Sequence, residues 1–338
     1  MPEIRIGMIG AGKVASWHLR AYRGMRDVRI AGIANPGSQR GPRIASRYGI
    51  PRHWRDGLDM LGEAELDAVD VCTPDRSHKV YILAALKKGL HVYTEKPMCE
   101  TVGDADEVIR ANRTAQRILF NGFNYRYMPS FRRISSIVRA GALGEIRYVR
   151  MTRTTRDSRQ YSLQNERPAE AFTGFHCHFI DLLFAFGFDE PVDVCAHGVT
   201  VLDWPVRPDT AALTLRYESG AIAEITTSQA SPGLTPELMM IGTRATLRLA
   251  FGRVRVVRQR DEWRTAALLW NLARESMILP WRVLRNPFAG ACRHFVDCVR
   301  RGRRSESDEH AARRTLRVCE AATKSYLEGK HVTVGPPA

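Results

Sequence analysis

Ile4-Arg5-Ile6-Gly7-Met8-Ile9-Gly10-Ala11-Gly12-Lys13-Val14-Ala15 stands near the start of the chain, and its reading decides the fold. The first six residues form a short apolar-rich strand. Gly10-Ala11-Gly12 is a turn, and a helix runs on through Trp17 and Leu19 to about Gly24. Gly-x-Gly-x-x-Ala between a strand and a helix is dinucleotide chemistry. Gly10 permits the tight turn, Gly12 lets the backbone approach a pyrophosphate, and Ala15 keeps helix and strand close. The pyrophosphate then sits at the helix N-terminus, beside Lys13 and Val14. Glycines also make ordinary turns, so the position after an N-terminal strand carries the reading.

Outward from this stretch, strands and helices alternate. Residues 28–34 form a second strand ending in Ala34-Asn35-Pro36-Gly37-Ser38. An acidic residue there would take the ribose 2′-hydroxyl of NAD. Asn35 can bond a hydroxyl without repelling a 2′-phosphate, and Ser38, Arg40 and Arg43 lie close enough in sequence to help bind one, unless the arginines are only the solvated face of the next helix. NAD and NADP both remain open. Residues 68–73 form a buried strand that ends in Thr73 and is followed by Pro74 and His78. Ser77 is placed to cap the next helix. His78 either lines a cofactor cleft or sits in the capping region.

Gly89 stops that helix, and residues 90–97, Leu-His-Val-Tyr-Thr-Glu-Lys-Pro, end a strand abruptly in a charged pair. Ligands bind at the carboxyl edge of such sheets. Pro97 holds the Lys96 backbone extended. Lys96 can donate to a substrate hydroxyl, or the Glu95–Lys96 pair is a strand-end salt bridge. A helix over about 102–115 and a strand over 118–122 complete a doubly wound parallel sheet.

After Phe123 the pattern changes. A polar-aromatic link carrying Tyr125 and Arg126 leads to a helix. Alternating stretches at 146–156, 192–201, 211–217, 221–228, 238–241, 247–250 and 254–257 read as an antiparallel sheet. One helix, 178–186, interrupts it. Residues 262–285 form a poorly patterned apolar and basic stretch, suited to a lid or a subunit contact. Two amphipathic helices, roughly 288–301 and 308–327, close the chain. The expected architecture is α/β. An N-terminal Rossmann domain covers 1–123, and an α/β domain with a large open, mostly antiparallel sheet covers 124–338, its last helices packing back on the first domain.

Composition narrows the function classes. The 338 residues contain 44% hydrophobic and 26% charged side chains, values of a globular protein. No apolar run approaches the ~20 residues of a membrane span, and no signal peptide is read, so a cytoplasmic protein without a membrane partner is expected. Seven scattered cysteines, with no Cys-x-x-Cys, indicate reduced thiols. His176, Cys177 and His178 lack a third and fourth ligand at suitable spacing, so no metal is expected. The net charge of +15 suits an anionic small ligand. The basic clusters lack interleaved aromatics, and no nucleic-acid partner is expected.

Four features stand in order: Gly10-x-Gly12-x-x-Ala15, Cys72-Thr73-Pro74 with His78, Glu95-Lys96-Pro97, and the His178-x-x-Asp181 helix before an antiparallel sheet. Together they resemble the glucose–fructose oxidoreductase/inositol dehydrogenase family, often called Gfo/Idh/MocA, over nearly the whole chain. The resemblance implies an NAD(P)-dependent oxidoreductase acting on a hydroxyl carbon of a sugar, cyclitol or nucleotide sugar. It implies that Lys96 hydrogen-bonds the reacting hydroxyl and that His178 is the acid/base. It also implies a homodimer or homotetramer through the open sheet.

Cofactor contacts are expected from Gly10, Gly12, Lys13, Val14, Asn35, Arg40, Thr73, Pro74, His78 and Glu95. Substrate contacts are expected from Lys96, Tyr125, Arg126, His176 and Asp181. The basic balance favours a phosphorylated or nucleotide-linked substrate. One departure from the resemblance is Gly174, where many catalytic members carry an Asp four residues before the His. His176 substitutes only if the segment is irregular, because residues two apart diverge on a regular helix. A catalytically silent nicotinamide-dinucleotide-binding regulator or subunit is the alternative.

Overall fold

Short apolar runs that end in turn chemistry and feed a helix can bury both faces only in a parallel sheet covered on each side. The computed structural model describes residues 3–36, 39–155, 172–202, 208–231, 236–250, 253–258 and 286–334. The basic stretch at 262–285 and Ser38 lie outside them. The chain forms two units. One comprises Met1–Tyr127 with Asn286–Leu316, the other Met128–Arg285 with Arg317–Ala338.

The first unit holds six strands: β1 (Ile4–Ile9), β2 (Val28–Ala34), β3 (His53–Trp54), β4 (Ala68–Val71), β5 (His91–Thr94) and β6 (Leu119–Asn121). They are parallel and ordered β3-β2-β1-β4-β5-β6. The order reverses between β1 and β4, so the ligand crevice of this topology lies outside their carboxyl ends. The helices are α1 (Lys13–Tyr22), α2 (Arg40–Tyr48), α3 (Gly57–Glu63), α4 (His78–Lys87) and α5 (Val102–Ala115). Asp56 and Thr101 cap α3 and α5 by accepting from Leu58 N–H and Asp104 N–H. Ser77 does not cap α4. A 3₁₀ turn, Asp75–Ser77, precedes that helix, and the Ser77 hydroxyl donates to the Pro74 carbonyl at 2.8 Å instead.

A late helix, α8 (Ala289–Arg301), belongs to this unit and packs on α1. Its Cys292 and Phe295 are fully buried, and Phe295 meets the Tyr93 ring edge-on at 5.6 Å between centroids.

The second unit carries α6 (Pro129–Arg139), α7 (Cys177–Ala185) and eight strands. These are β7 (Ile146–Thr154), β8 (Asp193–Val199), β9 (Thr210–Arg216), β10 (Ile222–Ser228), β11 (Glu237–Gly242), β12 (Ala245–Ala250), β13 (Arg253–Arg258) and β14 (Val332–Thr333), ordered β13-β12-β11-β7-β10-β9-β8-β14. Every pair is antiparallel except β7–β10, which runs parallel from Tyr148↔Ile222 to Thr154↔Ser228. Alternation sorts the faces as the sequence requires. On β9, Ala211, Leu213 and Leu215 are buried while Ala212, Thr214 and Arg216 are exposed. The last helix, α9 (Glu309–Glu328), begins in the first unit and ends in the second. There the Ser325 hydroxyl accepts from Ala196 N–H at 3.0 Å on β8 and donates to the Lys330 carbonyl. Among the described residues, no helix is long and apolar enough to cross a membrane.

Candidate active site

The turn after β1 is shaped for close backbone approach. Gly10 has φ of +106°, and a Cβ there would lie 2.4 Å from the Cys72 carbonyl oxygen. Gly12 is different: a Cβ there would meet nothing within 4 Å among the described residues. As N-cap of α1 it offers no side-chain acceptor, leaving the first-turn N–H groups for an anion. Lys13 is exposed and Val14 half-buried beside it. Asn35, at the end of β2, accepts from Ala11 N–H through Oδ1 at 3.0 Å and so braces the glycine turn. Arg40 is exposed at the start of α2. At the end of β4 the Thr73 hydroxyl oxygen is buried with no hydrogen-bond partner among the described residues. The open space over Gly12, the uncapped helix and this orphaned hydroxyl fit a dinucleotide.

The two glycines therefore fail differently when substituted. Gly10→Ala places a side chain at positive φ and against a backbone carbonyl, and stability falls by on the order of 3 kcal/mol. Gly12→Val keeps the fold, with a thermal midpoint within a few degrees of the parent, but the dissociation constant for dinucleotide rises at least tenfold. Thermal unfolding and a fluorescence titration of each variant check both outcomes.

His78 is fully buried. Its Nδ1 lies 2.8 Å from the Pro97 carbonyl oxygen and its Nε2 2.9 Å from that of Thr73. The side chain thus ties the Thr73-Pro74 turn to the end of Glu95-Lys96-Pro97, while Pro74 itself is exposed. The Lys96–Pro97 bond is cis, and Lys96 is half-buried. Glu95 is only 7% exposed; its Oε2 accepts a long hydrogen bond, 3.4 Å, from Lys96 N–H. Tyr125 is buried, and the Arg126 guanidinium donates to the Glu306 carbonyl at 2.9 Å within the same unit.

In the second unit, α7 starts from an irregular π-helical turn, Phe172–His176. His178 lies in the first turn of α7, 7% exposed, and Asp181 follows one turn on, fully buried. His176 is fully buried against Thr227 of β10, its Nδ1 3.2 Å from the hydroxyl oxygen. A Cβ at Gly174 would meet nothing within 4 Å among the described residues.

One cluster escaped the sequence reading. His18, on the buried face of α1, donates from Nδ1 to Asp70 Oδ2 at 2.8 Å. The Tyr22 hydroxyl donates to the same oxygen at 2.7 Å, and the Cys72 thiol to Asp70 Oδ1 at 3.2 Å. His18 Nε2 faces Glu95 Oε1 at 3.2 Å, an ion-pair distance whose alignment falls short of a hydrogen bond. His18, Asp70 and Cys72 have the composition of a metal site, but here their polar atoms engage one another. The signal was present in the sequence: an aspartate inside the apolar strand Ala68–Val71, and a histidine three residues after Ala15 on the inward helix face.

Burial opposes charge on His18, but Asp70 and then Glu95 outweigh it, and the imidazole pKa is pushed up to about 10. A raised cationic pKa stabilises the fold fully below the unfolded value near 6.5, and the contribution disappears as pH rises through the folded value. Denaturant unfolding is therefore expected to show stability falling as pH rises from about 7 towards 10. A His18→Gln variant should lack that slope.

A parallel sheet with a glycine-rich first turn leading into an uncapped helix is the architecture of a dinucleotide-binding domain. Residues 4–123 match the oxidoreductase family with an NAD-binding Rossmann fold, and residues 131–248 match the GFO/IDH/MocA C-terminal domain. The chain belongs to the Gfo/Idh/MocA oxidoreductase family. It is 27% identical to a D-apiose dehydrogenase of Paraburkholderia graminis, over 96% of this chain and 88% of that protein. It is 28% identical to a myo-inositol 2-dehydrogenase of Thermotoga maritima, over 67% and 69%. Its fold matches the WlbA dehydrogenase from Bordetella pertussis, solved with NADH and UDP-GlcNAcA (TM-score 0.84, 19% identity, 99% of each chain). It also matches an Agrobacterium radiobacter oxidoreductase solved with NAD+, L-tartaric acid and magnesium (TM-score 0.83, 21% identity, 98% and 99%).

Proposed function

We propose that this protein oxidises a secondary hydroxyl of a sugar or cyclitol, or reduces the corresponding ketone, with NAD or NADP as hydride carrier. The observation that carries the reading is Lys96, half-buried at the carboxyl end of β5 in the sheet whose first turn leaves room over Gly12. The nicotinamide, when bound, supplies the hydride acceptor or donor. Lys96 donates from Nζ to the reacting oxygen and stabilises the alkoxide, or polarises the ketone in reverse. His178 takes the hydroxyl proton at an imidazole nitrogen. Gly10, Gly12, Lys13, Val14, Asn35 and Thr73 hold the dinucleotide; Arg40 and Asn35 are compatible with either cofactor. Tyr125, Arg126, His176 and Asp181 shape the substrate's surroundings.

Sugar and cyclitol dehydrogenases among the relatives support this substrate class, and the basic balance favours a phosphorylated or nucleotide-linked member of it. The protein acts in the cytoplasm as a dimer or tetramer. Exposed apolar residues on the second sheet, among them Ile222 and Val257, support self-association, which sedimentation analysis tests.

Tryptophan fluorescence with added NAD(H) and NADP(H), followed by a turnover screen over sugars, inositols and nucleotide sugars, tests the activity. Binding with turnover supports it. Tight binding without turnover favours the silent-binder reading, and no binding overturns both.

Gly174 offers a sharper check on the proton path. Among the described residues, nothing stands within 4 Å of a Cβ at this position. Gly174→Asp is expected to fold like the parent and to turn over several-fold faster, because it supplies a carboxylate four residues before His178. Unchanged turnover would show that proton release does not limit the reaction.

A further inference from the structure

The Glu95 carboxylate is held from both sides. Its Oε1 faces His18 Nε2 at 3.2 Å, and its Oε2 accepts from the backbone N–H of Lys96 at 3.4 Å. Gly122, at the end of β6, closes a third side. A Cβ there would lie 2.7 Å from Glu95 Oε1 and 3.2 Å from Glu95 Cα. His18 is itself immovable: Asp70 holds its other ring nitrogen, and Tyr93 and Phe288 pack on the ring at 4.8 and 4.9 Å between centroids. A continuous path therefore runs from the helix of the glycine-rich turn to the backbone of the strand-end lysine.

We propose that His18 is a positioning residue of the reaction: through the Glu95 carboxylate it fixes the backbone of Lys96, and so the direction from which Lys96 approaches the reacting oxygen. This rests on the role given to Lys96 above. Glu95 thereby acts as a bracket for Lys96.

His18 presents a ring nitrogen to a carboxyl group on each side: Nδ1 donates to Asp70 Oδ2, and Nε2 stands at ion-pair distance from Glu95 Oε1, the geometry of a ring protonated on both nitrogens. The groups facing it are Asp70 and Cys72 from β4 and its end, Tyr93 and Glu95 from β5 and its end, Tyr22 from α1 and Cys292 from α8. Burial first, and then the neighbouring carboxylates, push the Tyr22, Cys72, Tyr93 and Cys292 groups well above their ordinary values, so none of them supplies a competing negative charge at neutral pH.

The test combines a spectroscopic and a kinetic readout on the full chain. Nitrogen-15 NMR of histidine-labelled protein at pH 8 should show one imidazole protonated on both nitrogens, and that signal should be missing in His18→Gln. A neutral ring at His18 would overturn the proposal. His18→Gln should lower kcat at least tenfold while leaving the dissociation constant for dinucleotide within about threefold, and unchanged kcat would overturn it equally. Gly122→Ala displaces the same carboxylate without touching His18 or Lys96, and serves if His18→Gln does not fold. It should give the same loss of kcat with the doubly protonated signal retained; a loss confined to cofactor affinity would instead make Glu95 a cofactor residue. Lys96→Ala separates this proposal from the reading it rests on. If that variant keeps full turnover, the role of Lys96 fails, whatever the state of His18.

Discussion

Lys96→Ala turns over substrate at least a hundredfold more slowly than the parent and binds dinucleotide as tightly. The expectation follows from where charge develops. The reacting oxygen becomes an alkoxide as hydride leaves its carbon, and a donor fixed beside it stabilises that charge more than it stabilises the neutral hydroxyl. Losing one such donor costs on the order of 3–4 kcal/mol of transition-state stabilisation. Dinucleotide binding depends on the turn after β1, which Lys96 does not form, so its dissociation constant should not move. Lys96→Arg should not restore activity, because a planar fork does not reproduce a compact ammonium on a flexible stem. Stopped-flow reduction of bound cofactor, with a parallel fluorescence titration, separates the two quantities. Turnover within threefold of the parent would remove Lys96 from the mechanism.

His178→Asn lowers kcat by on the order of 10²- to 10⁴-fold, the range for removing a positioned acid/base. The variant should stay folded, since asparagine keeps a polar group in a similar volume at the buried first turn of α7. Added imidazole should recover part of the lost rate if the missing function is proton transfer. A kcat unchanged from the parent would end the assignment. His176→Ala is the contrasting case: His176 is wholly enclosed and touches Thr227. Its loss leaves a cavity and an unpaired hydroxyl inside the second unit, so the thermal midpoint should fall further than in His178→Asn.

The irregular start of α7 shows where reading by pattern reaches its limit. On a regular helix, His176 and His178 diverge. The π-helical turn Phe172–His176 changes the angular step before α7, and no composition signal in Phe172-Thr173-Gly174-Phe175-His176 announces it. Ser77 is a similar case. It has the right type and place for a cap, yet the 3₁₀ turn before α4 redirects its hydroxyl to Pro74. His78 was legible as a residue of the sheet edge, but its place between two backbone carbonyls depends on Pro97 arriving from another strand.

What the sequence by itself determined is local in origin. Strand periodicity, the glycine-rich turn and the abrupt stop at Glu95-Lys96-Pro97 define a doubly wound parallel sheet with its chemistry at the carboxyl edge, because each rests on backbone preferences of neighbouring residues. Alternation likewise predicts the open sheet of the second unit. Only tertiary structure decided the strand order, the parallel β7–β10 pair and, for the late helix expected to pack back on the first domain, α1 as its seat. Above all, it decided the His18–Asp70–Glu95 cluster. Periodicity says that His18 and Asp70 face inward, and nothing more. That two residues 52 positions apart meet at 2.8 Å is fixed by β1 and β4 lying side by side with α1 across them. A buried charge is tolerable only once such pairing has supplied its partners.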